Sequence, residues 1–385
     1  MGSTCNIPAN PCKALLDLCL RGVQWPNELL DRALAVDEGR AFLSIVVERL
    51  GDLFDPQLCA VYERLFPEAI RRMAPDLAPR VRPSPPAGTP PQNADRVYIL
   101  SRVTLGADVA VTSVLIDAAK RRYPSAEIVF VGSRKSFELF EADPRLRHLP
   151  APYSRGGSLQ ERLKASGSLW FDDGIVIDPD SRLSQLGLLP VSLEQNYFLF
   201  PSRSYGYKSS DRLPDLASRW AQEVFGVEGA KPYVAPLPPT GDSADITVSL
   251  GVGNNDAKRI SGTFERDLLT LLARTGLSVL VDKGGDAEER ARVESALQPG
   301  MRTHDGAFAP FAAQIARSKL YVGYDSAGGH VASASSVPVI SIAKGFASAR
   351  MADRWRPLGM VIDGNPSNVQ SRIEEALAKV FKKTF

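Results

Sequence analysis

Histidine is nearly missing from this chain, with three in 385 residues, so the one at position 330, at the end of a Gly-rich turn, stands out. Cysteine is scarce and unevenly placed. Cys5, Cys12, Cys19 and Cys59 are the only four, with no Cys-x-x-Cys pair and no histidine nearby, so core packing is favoured over a metal or disulfide role. Cys12, Leu15, Leu16 and Cys19 instead follow the i, i+3, i+4, i+7 spacing of a buried helical stripe, where free thiols pack as small hydrophobes. An excess of one charge is also lacking. Lys and Arg number 46 against 44 Asp and Glu, a net of +2, so no global field draws nucleic acid. The basic clusters Arg71-Arg72, Lys120-Arg121-Arg122 and Lys382-Lys383 are short and read as solvated helix ends. No apolar run approaches the ~20 residues that span a bilayer. Nor do the first residues carry the charged and apolar regions of a secretory signal, so a cytoplasmic location is expected.

What the chain does have is ordinary globular material, 44% hydrophobic and 23% charged, enough for several cores. Segments near 12–21, 26–37, 39–51 and 56–72 carry helical apolar spacing, broken by Pro26, Gly39, Pro56 and Pro75. Nothing there alternates with period two, and no catalytic constellation is found in it. The expected division is a helical domain over 1–81, a Pro-rich linker over 82–93, and then two units of alternating strands and helices over 94–235 and 236–385. This predicts an α/β protein of two Rossmann-like domains facing a cleft, preceded by a small all-helical domain.

Three constellations stand where such folds place ligands. Gly323-Tyr324-Asp325-Ser326-Ala327-Gly328-Gly329-His330 joins a strand to a helix start, the arrangement that offers free N–H groups to a phosphate. Gly328 and Gly329 weaken a helix, and read as positions where backbone approaches a bound group. Gly251-Val252-Gly253-Asn254-Asn255-Asp256-Ala257-Lys258 follows the first strand of the second unit. It is neither a dinucleotide fingerprint nor a Walker loop, but a cation after a Gly-rich turn suits a diphosphate. Leu105-Gly106-Ala107-Asp108 follows the first strand of the first unit, where Asp108 reads as a helix cap, a general base, or both. Arg350, Arg354, Trp355 and Arg356 form a basic-aromatic cluster, read as a packed helix end or as a phosphate clamp.

In this order and on these elements, the constellations resemble glycosyltransferase family 9, the ADP-heptose-dependent heptosyltransferases. Gly106-Ala107-Asp108-Val109 resembles that family's Gly-Asp-Val turn, and Asp108 to Pro124 matches its spacing. Lys258 resembles its basic turn, and Asp325 to His330 its late Asp-Ser/Thr-Gly-x-x-His motif. Ala107 splits the Gly–Asp pair, Arg259-Ile260-Ser261 stands where many members carry Trp-Pro, and Ala327 replaces a usual Gly. The resemblance covers about residues 95–385. It implies a GT-B fold and an inverting, metal-independent sugar transfer without a cofactor, with ADP-heptose as the expected donor. Asp108 would be the base, with Lys258 and His330 as further catalytic groups. Gly253, Lys258, Asp325, Ser326, Ala327, Gly328, Gly329 and His330 would bind the donor, and Gly284, Gly285 and Phe308 would contact the nucleoside. No Asp-x-Asp is assigned to a strand end, so the diphosphate charge would be met by Lys, His and a helix dipole. The expected partners are a nucleotide sugar and a glycan, lipid-linked or protein acceptor, with no nucleic acid and with oligomerisation through the helical domain. The alternatives are a non-transferring scaffold or sugar-nucleotide-binding protein and, less favoured, a sugar-nucleotide epimerase.

Overall fold

Short runs of β-branched and aromatic residues build two parallel sheets. In the computed structural model, which describes residues 10–83, 88–239, 241–253, 255–365 and 368–381, the first sheet comprises β1 (Arg96–Leu100), β2 (Glu127–Gly132), β3 (Leu146–Pro150), β4 (Ile175–Asp178) and β5 (Tyr197–Leu199). The second comprises β6 (Ile246–Ser249), β7 (Val279–Asp282), β8 (Arg302–His304), β9 (Leu320–Tyr324), β10 (Val339–Ala343) and β11 (Met360–Asp363). Cys5, linker residues 84–87, Asn254 and the Lys382-Lys383 pair lie outside the described residues. The inner strands are near-continuous apolar runs because helices cover both faces of such sheets. Val97, Ile99, Val248, Val322 and Ile340 are all fully buried.

The strand orders are β3-β2-β1-β4-β5 and β11-β10-β9-β6-β7-β8, with every pairing parallel. Each sheet grows outward from its first strand and then reverses to the other side of it. The loops that follow β1 and β4, or β6 and β9, therefore part at the carboxyl ends of neighbouring strands. Such a switch point opens a crevice.

β5, β8 and β11 were not expected as strands, while the helix Ala349–Trp355 agrees with the helix-end reading of the basic-aromatic cluster. All three strands lie at sheet edges, each beside a single neighbour. The helices of residues 11–73 appear where their spacing puts them, at Pro11–Leu20, Asn27–Ala35, Phe42–Val47 continuing as Glu48–Asp52, and Pro56–Met73. Asn10 caps the first of these through Cys12 N–H at 3.0 Å, and Asp55 caps the last through Gln57 N–H at 2.8 Å. Cys12, Leu15 and Cys19 are buried, as the stripe requires.

These helices do not pack on themselves alone. Their hydrophobic cluster continues into Leu159, Leu163, Leu188 and Leu189 of the first α/β unit. Gly39, expected only as a break, has φ +79°, and a Cβ there would stand 2.7 Å from Leu159 Cβ, so its bareness lets the layers meet. Phe54 reaches further, joining the central cluster and lying 6.2 Å from Trp355 of the second unit, ring to ring. That cluster holds Val109, Val114 and Trp220 from one unit together with Phe311, Val331 and Val339 from the other.

Candidate functional site

The carboxyl ends of β6 and β9 are neighbours, and this brings together residues 67 positions apart. Lys258 Nζ donates to Asp325 Oδ2 at 2.6 Å and to the Asp325 carbonyl at 3.0 Å. The Lys258 side chain retains 19% exposure and that of Asp325 8%. The turn carrying Lys258 is fixed by Asn255, whose Oδ1 accepts from Ala257 N–H at 3.2 Å. Gly345, at φ +73°, lets the loop after β10 settle on this turn, since a Cβ there would lie 2.7 Å from the Ala257 carbonyl carbon. Phe346 from that loop stands under the ammonium, its ring centre 5.6 Å from Nζ.

Ser326 begins the helix Ala327–Ala334 with extended backbone and no side-chain cap, so the first N–H groups stay available to an anion. Ser326, Ala327 and His330 line a cavity of about 580 Å³ together with Gly253, Lys258 and Asp325. Gly328 and Gly329 do not line it. A Cβ on Gly328 would sit 2.4 Å from the Tyr321 hydroxyl, so this glycine makes room for a buried ring rather than for a ligand. Gly329 faces Pro357, 3.6 Å from its Cβ position. His330 is 6% exposed, and burial holds its imidazole below the ordinary range, opposed by Asp325 and reinforced by Lys258 and Arg212. That direction favours the neutral imidazole. Trp355 meets it edge-on at 6.0 Å.

The loop after β1 forms the facing wall. Arg102, Val103, Thr104, Leu105, Gly106 and Ala107 line the cavity, but Asp108 does not. Asp108 is fully buried, and its oxygens accept from Ser101 Oγ at 2.7 Å, Arg102 N–H at 2.7 Å and Thr112 Oγ1 at 2.8 Å. Burial raises its pKa, and these hydrogen bonds oppose the rise. One residue along a helix is a rotation of about 100°, so with Ala107 on the cavity face Asp108 turns inward. The carboxylate expected as a base thus holds the loop together. Val103 takes φ +60°, a strained geometry for a β-branched residue of the kind that collects at functional loops.

A cationic wall was missed in the sequence. Arg102, Arg155, Arg162, Arg182, Arg203 and Lys135 all line the cavity. Arg102 and Arg203 are each only 8% exposed. Burial, then the charge of Arg203, lowers the Arg102 pKa to about 10. Arg102 donates to the Pro179 carbonyl at 2.8 Å and to Ser202 Oγ, below the ring of Trp355. Its place just after β1 was a usable signal; the others are scattered over separate loops and short helices.

An Asp-x-Asp does end a strand, contrary to expectation, as Asp178-Pro179-Asp180 after β4. Both carboxylates are engaged: Asp178 by Ser181 N–H, Ser184 and Tyr197, and Asp180 by Arg203 at 2.7 Å and Ser202 at 2.9 Å. No cluster of three or more potential metal ligands exists among the described residues. Burial pushes Asp178 up to about 6, above the ~3.9 of an unfolded chain. The native state then binds the proton more tightly, so this group favours folding at low pH and progressively less as pH rises from ~4 to ~6, by about 3 kcal/mol in all. Asp178→Asn is expected to flatten that slope. Urea unfolding at several pH values measures it, and an unchanged slope would refute the assignment.

The other expected contacts lie elsewhere. Gly284 packs on Glu289, whose Oε2 accepts from Gly285 N–H at 3.1 Å, and Phe308 packs edge-on to Phe311 at 6.3 Å. None of the three lines the cavity. Arg350 donates to the Phe54 carbonyl at 2.9 Å, and Arg354 to the Asp211 and Gly206 carbonyls at 2.7 Å each. Arg356 reaches the Ser210 carbonyl at 3.3 Å. These arginines staple loops, while Trp355 between them faces the cavity.

No protein-family model matches the sequence, and comparison with curated proteins gives no match. Among solved structures, E. coli heptosyltransferase WaaC with ADP is similar at a TM-score of 0.56 and 17% identity, over 73% of this chain and 99% of that one. The ADP-heptose LPS heptosyltransferase II of E. coli gives 0.53 and 18%, over 74% and 99%. A glycosyltransferase family 9 structure from Veillonella parvula gives 0.54 and 14%, over 75% and 97%. The chain therefore has the two-sheet α/β fold of the heptosyltransferase structures. No helix among the described residues is long and apolar enough to cross a membrane.

Proposed function

We propose that this protein is an inverting glycosyltransferase that moves a heptose or related sugar from a nucleoside-diphosphate donor, ADP-heptose by preference, to an acceptor hydroxyl. The observation that carries the reading is the meeting of Lys258, Asp325 and the uncapped helix start at Ser326 on one wall of a cavity whose other wall is the loop after β1. As the bond from the anomeric carbon to phosphate breaks, negative charge gathers on the departing diphosphate. Lys258 and the N–H groups of Ala327 and its successors meet that charge, as fixed donors aimed where it develops. Asp325 orients Lys258 and takes sugar hydroxyls, and neutral His330 offers a hydrogen bond without another charge. No metal or cofactor is assigned a part. Asp108 serves as a positioning residue that fixes the acceptor-side loop. The acceptor is a glycan, a lipid-linked sugar or a protein, and the cationic wall favours one that carries anionic groups.

A ligand bound only by the native state must raise its stability, by about 2.7 kcal/mol at a hundredfold excess over Kd. ADP-heptose is therefore expected to raise the melting temperature by several degrees, and more than ADP, UDP-glucose or ATP. If no nucleotide sugar in such a panel moves it, the reading fails. The burial of Asp108 favours a second reading, a sugar-nucleotide-binding protein without transferase activity. Binding of ADP-heptose with no release of ADP would select it.

A further inference from the structure

With Asp108 turned inward, a transferase needs another proton acceptor in the cleft. We propose that Glu48, supplied by the N-terminal helices, takes the acceptor proton, so that the helical layer completes the active site. This role for Glu48 rests on the transferase reading above.

Three carboxylates line the cavity: Glu48, Asp52 and Asp325. Asp325 is held by Lys258 at 2.6 Å. Asp52 lies 3.4 Å from Arg182 and 3.8 Å from Arg203. Glu48 has no ion pair or hydrogen bond from its side chain among the described residues, and it is half-buried in the wall. It opens the helix Glu48–Asp52, directly after the π-helical turn Phe42–Val47. Glu48 and Asp52 are four positions apart and so share one helix face. Asp52 ties that face to Arg182 and Arg203 of the first unit, whose loop after β1 forms the acceptor-side wall, and Glu48 lines the same cavity as Lys258 and Ser326.

The step balances without any further reactant. The acceptor oxygen forms a bond to the anomeric carbon as its proton passes to the Glu48 carboxylate. The bond from that carbon to the phosphate oxygen breaks, and its electron pair leaves with ADP. A free carboxylate within reach of the hydroxyl is the group such a transfer needs, whereas Asp52 and Asp325 are already committed to cations.

Release of ADP from ADP-heptose by the full chain, with water as acceptor, tests this alongside calorimetric titration of the donor. Glu48→Gln is expected to slow release about a hundredfold or more, with the donor Kd within about threefold and the unfolding midpoint unmoved. Azide needs no deprotonation, so Glu48→Ala in sodium azide should recover release and give the heptosyl azide. Release by Glu48→Gln within about threefold of the unmodified protein overturns the proposal, as does failure of azide to restore the alanine variant. Donor binding without ADP release by the unmodified protein also overturns it while leaving the binding site standing. If no nucleotide sugar binds, the transferase reading itself falls first.

Discussion

Lys258→Ala is expected to lower ADP release from ADP-heptose by about a hundred- to a thousandfold and to weaken the binding of ADP itself. The size follows from removing one preorganised donor to a developing oxyanion in a partly desolvated site, worth roughly 3–4 kcal/mol in the transition state. The change has a second effect. Asp325, with 8% side-chain exposure, is left without its cation, and an unpaired buried carboxylate costs stability. The fall in rate must therefore be read beside a denaturant titration, at a temperature where the variant is folded. Lys258→Arg keeps the charge but not the compact ammonium geometry, and should recover part of the ADP affinity. Calorimetric titration with ADP is decisive: unchanged affinity in Lys258→Ala would remove this residue from the diphosphate site.

Asp108→Ala is expected to have its largest effect on folding. The substitution leaves Ser101 Oγ, the Arg102 N–H and Thr112 Oγ1 without their acceptor in a buried turn. Hydrogen bonds to a charged group contribute about 1.5–3 kcal/mol each, and orphaned donors carry their own desolvation cost. Part is returned because the native state no longer buries a carboxylate, whose pKa burial already raises. A net loss of about 3–5 kcal/mol is expected. Asp108→Asn, which keeps one acceptor oxygen, should lose less. Urea unfolding distinguishes this from a base-only role, under which the midpoint would hold while turnover fell.

These two residues also show how far the sequence reaches. Asp325 directly follows β9 and Lys258 sits in the loop after β6, both strands marked by apolar runs, and parallel pairing of β6 with β9 brings those loops together. Their meeting was legible from topology. Asp108 was equally legible as a residue at a strand end, but its direction was not, because one intervening alanine rotates the side chain off the cavity face. The unexpected strands β5, β8 and β11 are three or four residues long. Tyr197-Phe198-Leu199 and Arg302-Thr303-His304 are too brief to show a period, so neighbouring strands rather than their own pattern place them. Glu48 was invisible for another reason. The helices around it carry ordinary amphipathic spacing, and only tertiary packing reveals that one polar face looks into a cavity instead of solvent. Arg155, Arg182 and Arg203 likewise sit on loops far apart in sequence.

The central hydrophobic cluster has a mechanical meaning. Because Phe311, Val331 and Val339 of one unit share it with Val109, Val114 and Trp220 of the other, the two halves cannot swing apart as rigid bodies without wetting it. Each large apolar side chain so exposed costs about 1.5–3 kcal/mol, and Phe54 with Arg350 crosses the same seam like a clasp. A few such side chains together cost several kcal/mol, so a widely opened form is a minor population beside the closed one. The shared cluster thus favours keeping the two units together, and the cavity between them keeps its walls in register.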